Sequence, residues 1–405
     1  MFVLVVLMIP AGSAARGGAG QQAPAPPAVP VPEVTPQPPG PAGPVPQVTP
    51  QPSPPAKKAD PPAPKFPATA RWSITVDAAP IAPPLVTAGR VVLALRSGVL
   101  SARHVSDGTE AWTVKLPVDQ PPAADGDKIF VFTGETLHAL NGADGSTAWS
   151  VRIGQPSAAL LARGGWVISA SGGSVAARRA SDGETVWTKA TGAVSQRAAI
   201  DGNALYVPLT EGRLLALDLE TGTTRWDQPV GPAPTEPLAY ADRIYLGSDN
   251  KRFMCLHAKS GAIDWQWEIG TRVIGPAAGD PSRVYFTAMD NVLRALSRDH
   301  GGQRWKQRLT YRPTGGPVLM DGQVAVPGIT SELFGFDVTA GKTTGKLTFP
   351  VQLAIGPSFV APDGPDATPA VVSITGGLTN QWTLSLAIPA PPPAAAEPPA
   401  APPAK

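Results

Sequence analysis

A small residue, a polar turn and then Gly-x-x-x-Trp recur along this chain, and that recurrence limits the fold more than any other feature. The fullest copy is ALDLETGTTRW, residues Ala216–Trp226. Its glycine and tryptophan, Gly222 and Trp226, have counterparts at Gly108 and Trp112, Gly145 and Trp149, Gly183 and Trp187, Gly261 and Trp265, and Gly301 and Trp305. A decayed copy, GFDVTAGKTTG, keeps Gly341 but has Gly345 where the tryptophan would stand. Successive glycines lie 37 to 40 residues apart. A fixed period of that size means stacked units or a closed ring, because each unit must bury its faces against its neighbours.

Within a unit the pattern is that of short strands. A first short run follows a proline, and a turn leads to a β-rich run such as Ile129–Thr133, Ala204–Val207, Ile244–Gly247 or Val284–Thr287. A third run such as Arg213–Leu217, the glycine turn and the tryptophan strand complete the unit. Helical periodicity is almost absent, so each unit reads as a four-stranded meander. A sheet of this kind has two faces to cover, and radial repetition covers both. The expected fold is therefore all-β, a β-propeller of four-stranded blades. Glycine suits a turn needing positive φ. Ten residues before each tryptophan stands Ala102, Ala139, Ala177, Ala216, Cys255 or Ala295, with Gly335 in the decayed copy. The expectation is that the indole packs over this small residue between blades, and that Cys255 is an alanine substitute.

The ends set the blade number. Arg71–Val76 (RWSITV) is a lone last strand, with Trp72 40 residues before Trp112. At the other end Val371–Thr375 and Gln381–Ala387 form a unit lacking its last strand. Joining the two gives eight blades closed by an N-terminal strand, with no long open edge.

Outside the repeat the composition changes. Residues 1–20 hold a short apolar run, Phe2–Pro10, then small residues, which resembles a signal peptide without its positive n-region. The run is too short for an ordinary transmembrane span. Residues 21–70 form a linker with 19 prolines, in which VPEVTPQP at Val31–Pro38 returns as VPQVTPQP at Val45–Pro52. Such a segment cannot bury a core and favours polyproline II, as a disordered spacer or as a ligand for a partner domain. The tail 388–405, rich in Pro and Ala, has the same character, leaving 71–387 for the propeller. The single cysteine excludes an internal disulfide framework and a cysteine metal cluster. A net charge of +2 gives no reason to expect nucleic acid as a partner.

The pattern A-x-D-x-x-T-G-x-x-x-W, complete in Ala216, Asp218, Thr221, Gly222 and Trp226, resembles the tryptophan-docking motif of pyrroloquinoline-quinone-type repeats. The resemblance covers about residues 71–387 and implies two branches. One comprises the quinoprotein alcohol and glucose dehydrogenases, which carry the quinone (PQQ) and Ca²⁺. The other is the BamB type, non-catalytic eight-bladed scaffolds of outer-membrane protein assembly. Fold likeness alone does not choose between them. The alcohol dehydrogenases typically place adjacent cysteines over the quinone, and one cysteine cannot supply that pair.

The residues themselves give little sign of catalysis. Ca²⁺ needs several converging oxygen ligands. Asp107, Asp144 and Asp182 precede motif glycines on different blades and so do not converge; Glu236, Asp249 and Asp290 are the exceptions to consider. His104 and His257 share one repeat position, His138 and His300 also lie in motif copies, and none pairs with a local Ser or Cys in a nucleophile arrangement. Gly341-Lys342-Thr343 imitates the end of a phosphate loop, but Phe336 stands where its first glycine belongs.

Surface loops remain. Gln120, Gln155, Gln196 and Glu236 precede the first strands of four consecutive units, and Arg197, Arg272 and Arg312 lie in the same class of loop. They are either ordinary solvated residues or a docking rim for a protein or peptide. The reading is an exported, periplasmic or secreted monomer that binds an envelope protein or peptide without catalysis, cofactor or metal. The alternative is an oxidoreductase using PQQ and Ca²⁺.

Overall fold

Turn residues at regular intervals cut the apolar runs into strands of three to nine residues, and these build eight four-stranded antiparallel sheets. The computed structural model describes residues 68–389 apart from 321, 354, 361–369 and 377–380. The signal-like segment, the linker up to residue 67 with its octapeptide repeat, and the tail beyond residue 389 lie outside the described residues. No helix occurs among the described residues.

Seven sheets use consecutive chain, as blades 1 to 7: residues 85–115, 123–152, 161–190, 199–229, 238–268, 273–308 and 318–348. The eighth joins Ser358–Val360, Ala370–Gly376 and Trp382–Pro389 to the N-terminal strand Ala68–Val76. That strand begins before the expected Arg71, pairs Ala68 with Pro389 and Val76 with Trp382, and shifts register between Ala70 and Trp72. The ring therefore closes with both ends of the repeat in one sheet.

Blade 4 shows the common plan. Its strands are Ala199–Asp201, Ala204–Leu209, Arg213–Asp218 and Thr224–Pro229. The second is buried at every position, because neighbouring blades cover both of its faces. The fourth alternates exposed and half-buried residues, as an outer strand should. The first strands of most successive blades approach one another around the axis, including those of blades 8 and 1. Apolar clusters fill the junctions; Ile168, Val175 and Ala177 of blade 3, for example, pack on Leu205, Val207 and Leu217 of blade 4.

Each motif tryptophan, and Trp72 in the closing strand, reaches forward to the next blade. Trp226 Nε1 donates to the Ala258 carbonyl at 2.9 Å, and Trp187 Nε1 to the Leu219 carbonyl at 2.8 Å. The same bond runs from Trp72, Trp112, Trp149, Trp265 and Trp305. The indole faces the motif glycine of that next blade. Gly222 has a φ of +71°, and a Cβ there would stand 2.7 Å from Trp187 Cδ2. Both the left-handed backbone and the ring thus require glycine.

The small residue shares an inter-blade apolar cluster with its tryptophan, as expected, and the two belong to one sheet. Ala216 is the cross-strand partner of Trp226 inside one sheet, and Ala102, Ala139, Ala177, Cys255 and Ala295 pair likewise with their own tryptophans. A residue without bulk there leaves the large ring free to lean toward the neighbouring blade. In blade 7 the pair is Gly335 and Gly345, so the junction with blade 8 has no indole. Leu333, Leu347, Phe349 and Leu353 fill it with Val371 and Ala387.

Candidate functional site

Antiparallel order sends the loops to two opposite faces. The motif turns, between third and fourth strands, share one face with the turns between first and second strands. The other face carries the connections between blades and the loops between second and third strands. The rim residues belong to this second face.

On it lies a cleft of about 430 Å³ across blades 4 to 7. Gln196, Glu236, Arg272 and Arg312 line it, one from each of four successive inter-blade connections. Asp249 and Met289 enter from the loops between second and third strands. The volume is in the lower part of the range of sites that enclose small ligands.

Local sequence explains the hollow. The first strand of blade 6, Val273–Gly279, loses register between Ile274 and Ala278. Gly275 there has a φ of +64°, and its added Cβ would stand 3.0 Å from the Gly315 carbonyl carbon. A Cβ on Gly316 would stand 3.0 Å from the Pro276 nitrogen. Gly275-Pro276 and Gly315-Gly316 thus let two backbones meet closely, which side chains would prevent. Thr287 Oγ1 donates to the Gly315 carbonyl at 3.3 Å and ties the two blades together. These glycines escaped the sequence reading; two glycines before the blade 7 proline were the available signal.

The charges in the cleft are unequally matched. Arg197 donates through Nε and Nη2 to Glu236 Oε1 at 2.9 and 2.6 Å. Arg272 Nε stands 3.9 Å from Asp249 Oδ1, the outer limit of an ion pair. Arg312 is exposed, and among the described residues its one side-chain hydrogen-bond partner is Met289, Nη2 to Sδ at 3.8 Å. Among the described residues it has no carboxylate within ion-pair distance.

The structure brings together only part of the expected rim. Gln120 Nε2 donates weakly to the Pro156 carbonyl at 3.5 Å, and neither Gln120 nor the exposed Gln155 lines the cleft. Arg197 contributes through its hold on Glu236. Asp290 is engaged with Arg294 at 2.5 Å.

Several other candidates are engaged in local contacts of the fold. Asp107 Oδ1 accepts from the Thr109 hydroxyl and amide inside a motif turn, and these bonds lower its pKa. Arg225 donates to Asp218 and, with Thr221, brings that carboxyl down to about 2. His138 hydrogen-bonds Thr133 at 2.7 Å, and burial lowers its pKa. His257 lies 3.6 Å from Asp264, and His300 Nδ1 accepts from the Gly302 amide at 3.1 Å. Burial pushes the Cys255 thiol up to about 12. No group of three or more His, Cys, Asp or Glu among the described residues is arranged to hold a metal. Glu236 and Asp249 are the cleft's carboxylates, and both face guanidinium groups. This donor set does not fit Ca²⁺ with a quinone.

Solved structures of the same shape fall into several functional kinds. BamB from Moraxella catarrhalis superposes with a TM-score of 0.63 at 19% identity, covering 79% of this chain and 97% of that one. Quinohemoprotein alcohol dehydrogenase ADHIIG from Pseudomonas putida HK5 gives 0.64 at 13% identity, covering 80% and 76%. Sqt1 from Saccharomyces cerevisiae gives 0.64 at 12% identity, covering 80% and 98%. At these identities the likeness establishes the fold. No curated protein matches the sequence. A family profile does, over residues 96–241 and 235–352 and hence over more than half of the chain. With its repeats, ring closure and forward-reaching tryptophans, this chain belongs to the family described as outer membrane protein assembly factor BamB, a PQQ-type β-propeller family.

Proposed function

We propose that the chain is a non-catalytic scaffold of the cell envelope, periplasmic or secreted, which as a monomer binds a protein partner through the cleft face. Outer-membrane protein assembly is the setting the family description suggests. The observation that carries the reading is the cleft itself, whose lining comes from four blades while the tryptophans and glycines are occupied in holding the ring. Loop residues that differ between repeats are free to carry specificity, and arginine is favoured at interfaces for its stacking area and donor fork.

The test is capture from an envelope extract by the wild-type chain and by a variant carrying Arg197→Ala, Arg272→Ala and Arg312→Ala. The expected result is a wild-type partner whose affinity falls in the variant while the melting temperature holds. Exposed substitutions of this kind change stability by about 0.5 kcal/mol or less. Full affinity in the variant moves the site to another surface.

The likeness to quinohemoprotein alcohol dehydrogenase supports the second reading, a PQQ- or small-ligand-binding oxidoreductase. It is separated by adding PQQ and Ca²⁺. The scaffold reading expects no stoichiometric complex and no alcohol or sugar oxidation. Turnover above a protein-free control reverses the assignment.

A further inference from the structure

We propose that the cleft recognises an extended polypeptide segment through a single carboxylate, Asp or Glu, seated between Arg272 and Arg312 and followed or preceded by an apolar side chain. The inference rests on the scaffold reading and specifies the chemistry of the partner at that site.

Charge balance is the first ground. Glu236 is held by two guanidinium nitrogens of Arg197, and Asp249 only grazes Arg272. Arg312 faces the same cleft with a thioether as its contact. One positive charge is therefore left over, and a second is weakly satisfied. A guanidinium offers a planar fork that fits one carboxylate. A polyanion such as nucleic acid fits poorly, since Glu236 and Asp249 would repel the phosphates beyond the first.

Apolar surface beside the cationic pair is the second ground. Val273, Ile274, Pro276 and Met289 line the cleft around Arg272 and Arg312. Ile329, whose amide donates to the Arg312 carbonyl at 3.3 Å, is 57% exposed on the same face. No other large hydrophobic residue among those described is as exposed. A peptide with one acid and a neighbouring apolar residue would match the arginines and cover this surface together. Methionine suits such a contact because its unbranched thioether adapts to varied shapes.

The experiment selects short random peptides displayed on phage against the immobilised full chain, then measures affinities of the winners by fluorescence anisotropy. Selected sequences should carry Asp or Glu beside an apolar residue. Arg272→Gln and Arg312→Gln should each weaken them about fivefold, the upper end for a pair near the surface. Changing the peptide acid to its amide should cause a similar loss, and high salt should weaken binding. Arg312→Lys should retain part of the affinity, while Arg152→Gln on blade 2 should leave it unchanged. Thermal melts confirm that each variant is folded. Winners without acidic residues, acidic winners indifferent to both arginines, or no winners at all overturn the inference. If the wild-type chain still captures an envelope protein, the scaffold reading survives that result; if it captures none, that reading fails separately.

Discussion

The indole of Trp226 lies so close to Gly261 of the next blade that a Cβ added there would stand 2.6 Å from its Cε3. Its Nε1 meanwhile bonds the Ala258 carbonyl in the same turn. One side chain thus supplies apolar cover and a hydrogen bond across a junction. Trp226→Ala is expected to cost about 3–5 kcal/mol, as for other aromatics removed from packed sites. Gly261→Ala should also destabilise, by roughly 1–3 kcal/mol from overpacking. Denaturant unfolding measures both; an unchanged midpoint for either removes this account of the junction.

The ring has one weak seam. Trp72 latches blade 8 to blade 1 through the Val105 carbonyl, but Gly345 gives blade 7 no indole to offer blade 8. Stability in repeat folds is carried by nearest-neighbour interfaces. Amide exchange in Thr343–Thr348 and Ala370–Gly376 should therefore be faster than in the matching strands of blades 3 and 4. Removing residues 68–76 should uncover the Trp382–Pro389 edge and cause aggregation. Equal protection around the ring would contradict the seam.

Cys255 should behave as a core residue. With the thiol raised to about 12 by burial, a thiol reagent at pH 8 should leave it unlabelled until the chain unfolds. Labelling of the folded protein at the rate of a free thiol would show that the site is open.

Alkaline stability follows from the same burial. Cys255, Tyr206 and Tyr245 are each raised to about 12 in the folded chain, from ordinary values of 9.0 for the thiol and 10.0 for the phenols. Between the ordinary and raised values the unfolded chain has lost protons that the folded chain keeps. Stability from these groups is complete below pH 9 and falls as pH rises toward 12. Melting temperature should decline over that window, and less so in Cys255→Ala; a flat profile would count against it.

The frame was legible in the sequence because Trp226, Gly222 and their counterparts repeat in every sound copy. Blade closure was legible too, since RWSITV had no other sheet to join. What the indole reaches in the next blade, a turn carbonyl and the motif glycine, was not. Ala216 keeps a constant distance from Trp226 because the two pair across strands, and a constant spacing looks the same whether the contact lies within a blade or between blades. The cleft was half visible. The loop class was readable from Gln196, Glu236, Arg272 and Arg312, but Gln120 and Gln155 share that class and stand elsewhere. What separates them is the bulge at Gly275 against Gly315-Gly316, a meeting of segments that only the closed ring brings together.

Ala68 pairs with Pro389 at the end of blade 8 where a motif turn would otherwise stand. Chain enters and leaves the ring side by side there, on the face opposite the cleft. A label or fused domain joined directly at residue 68 or residue 389 therefore meets the propeller at its back. The cleft face is left clear of both points of entry, as a hand held by the wrist leaves its palm open.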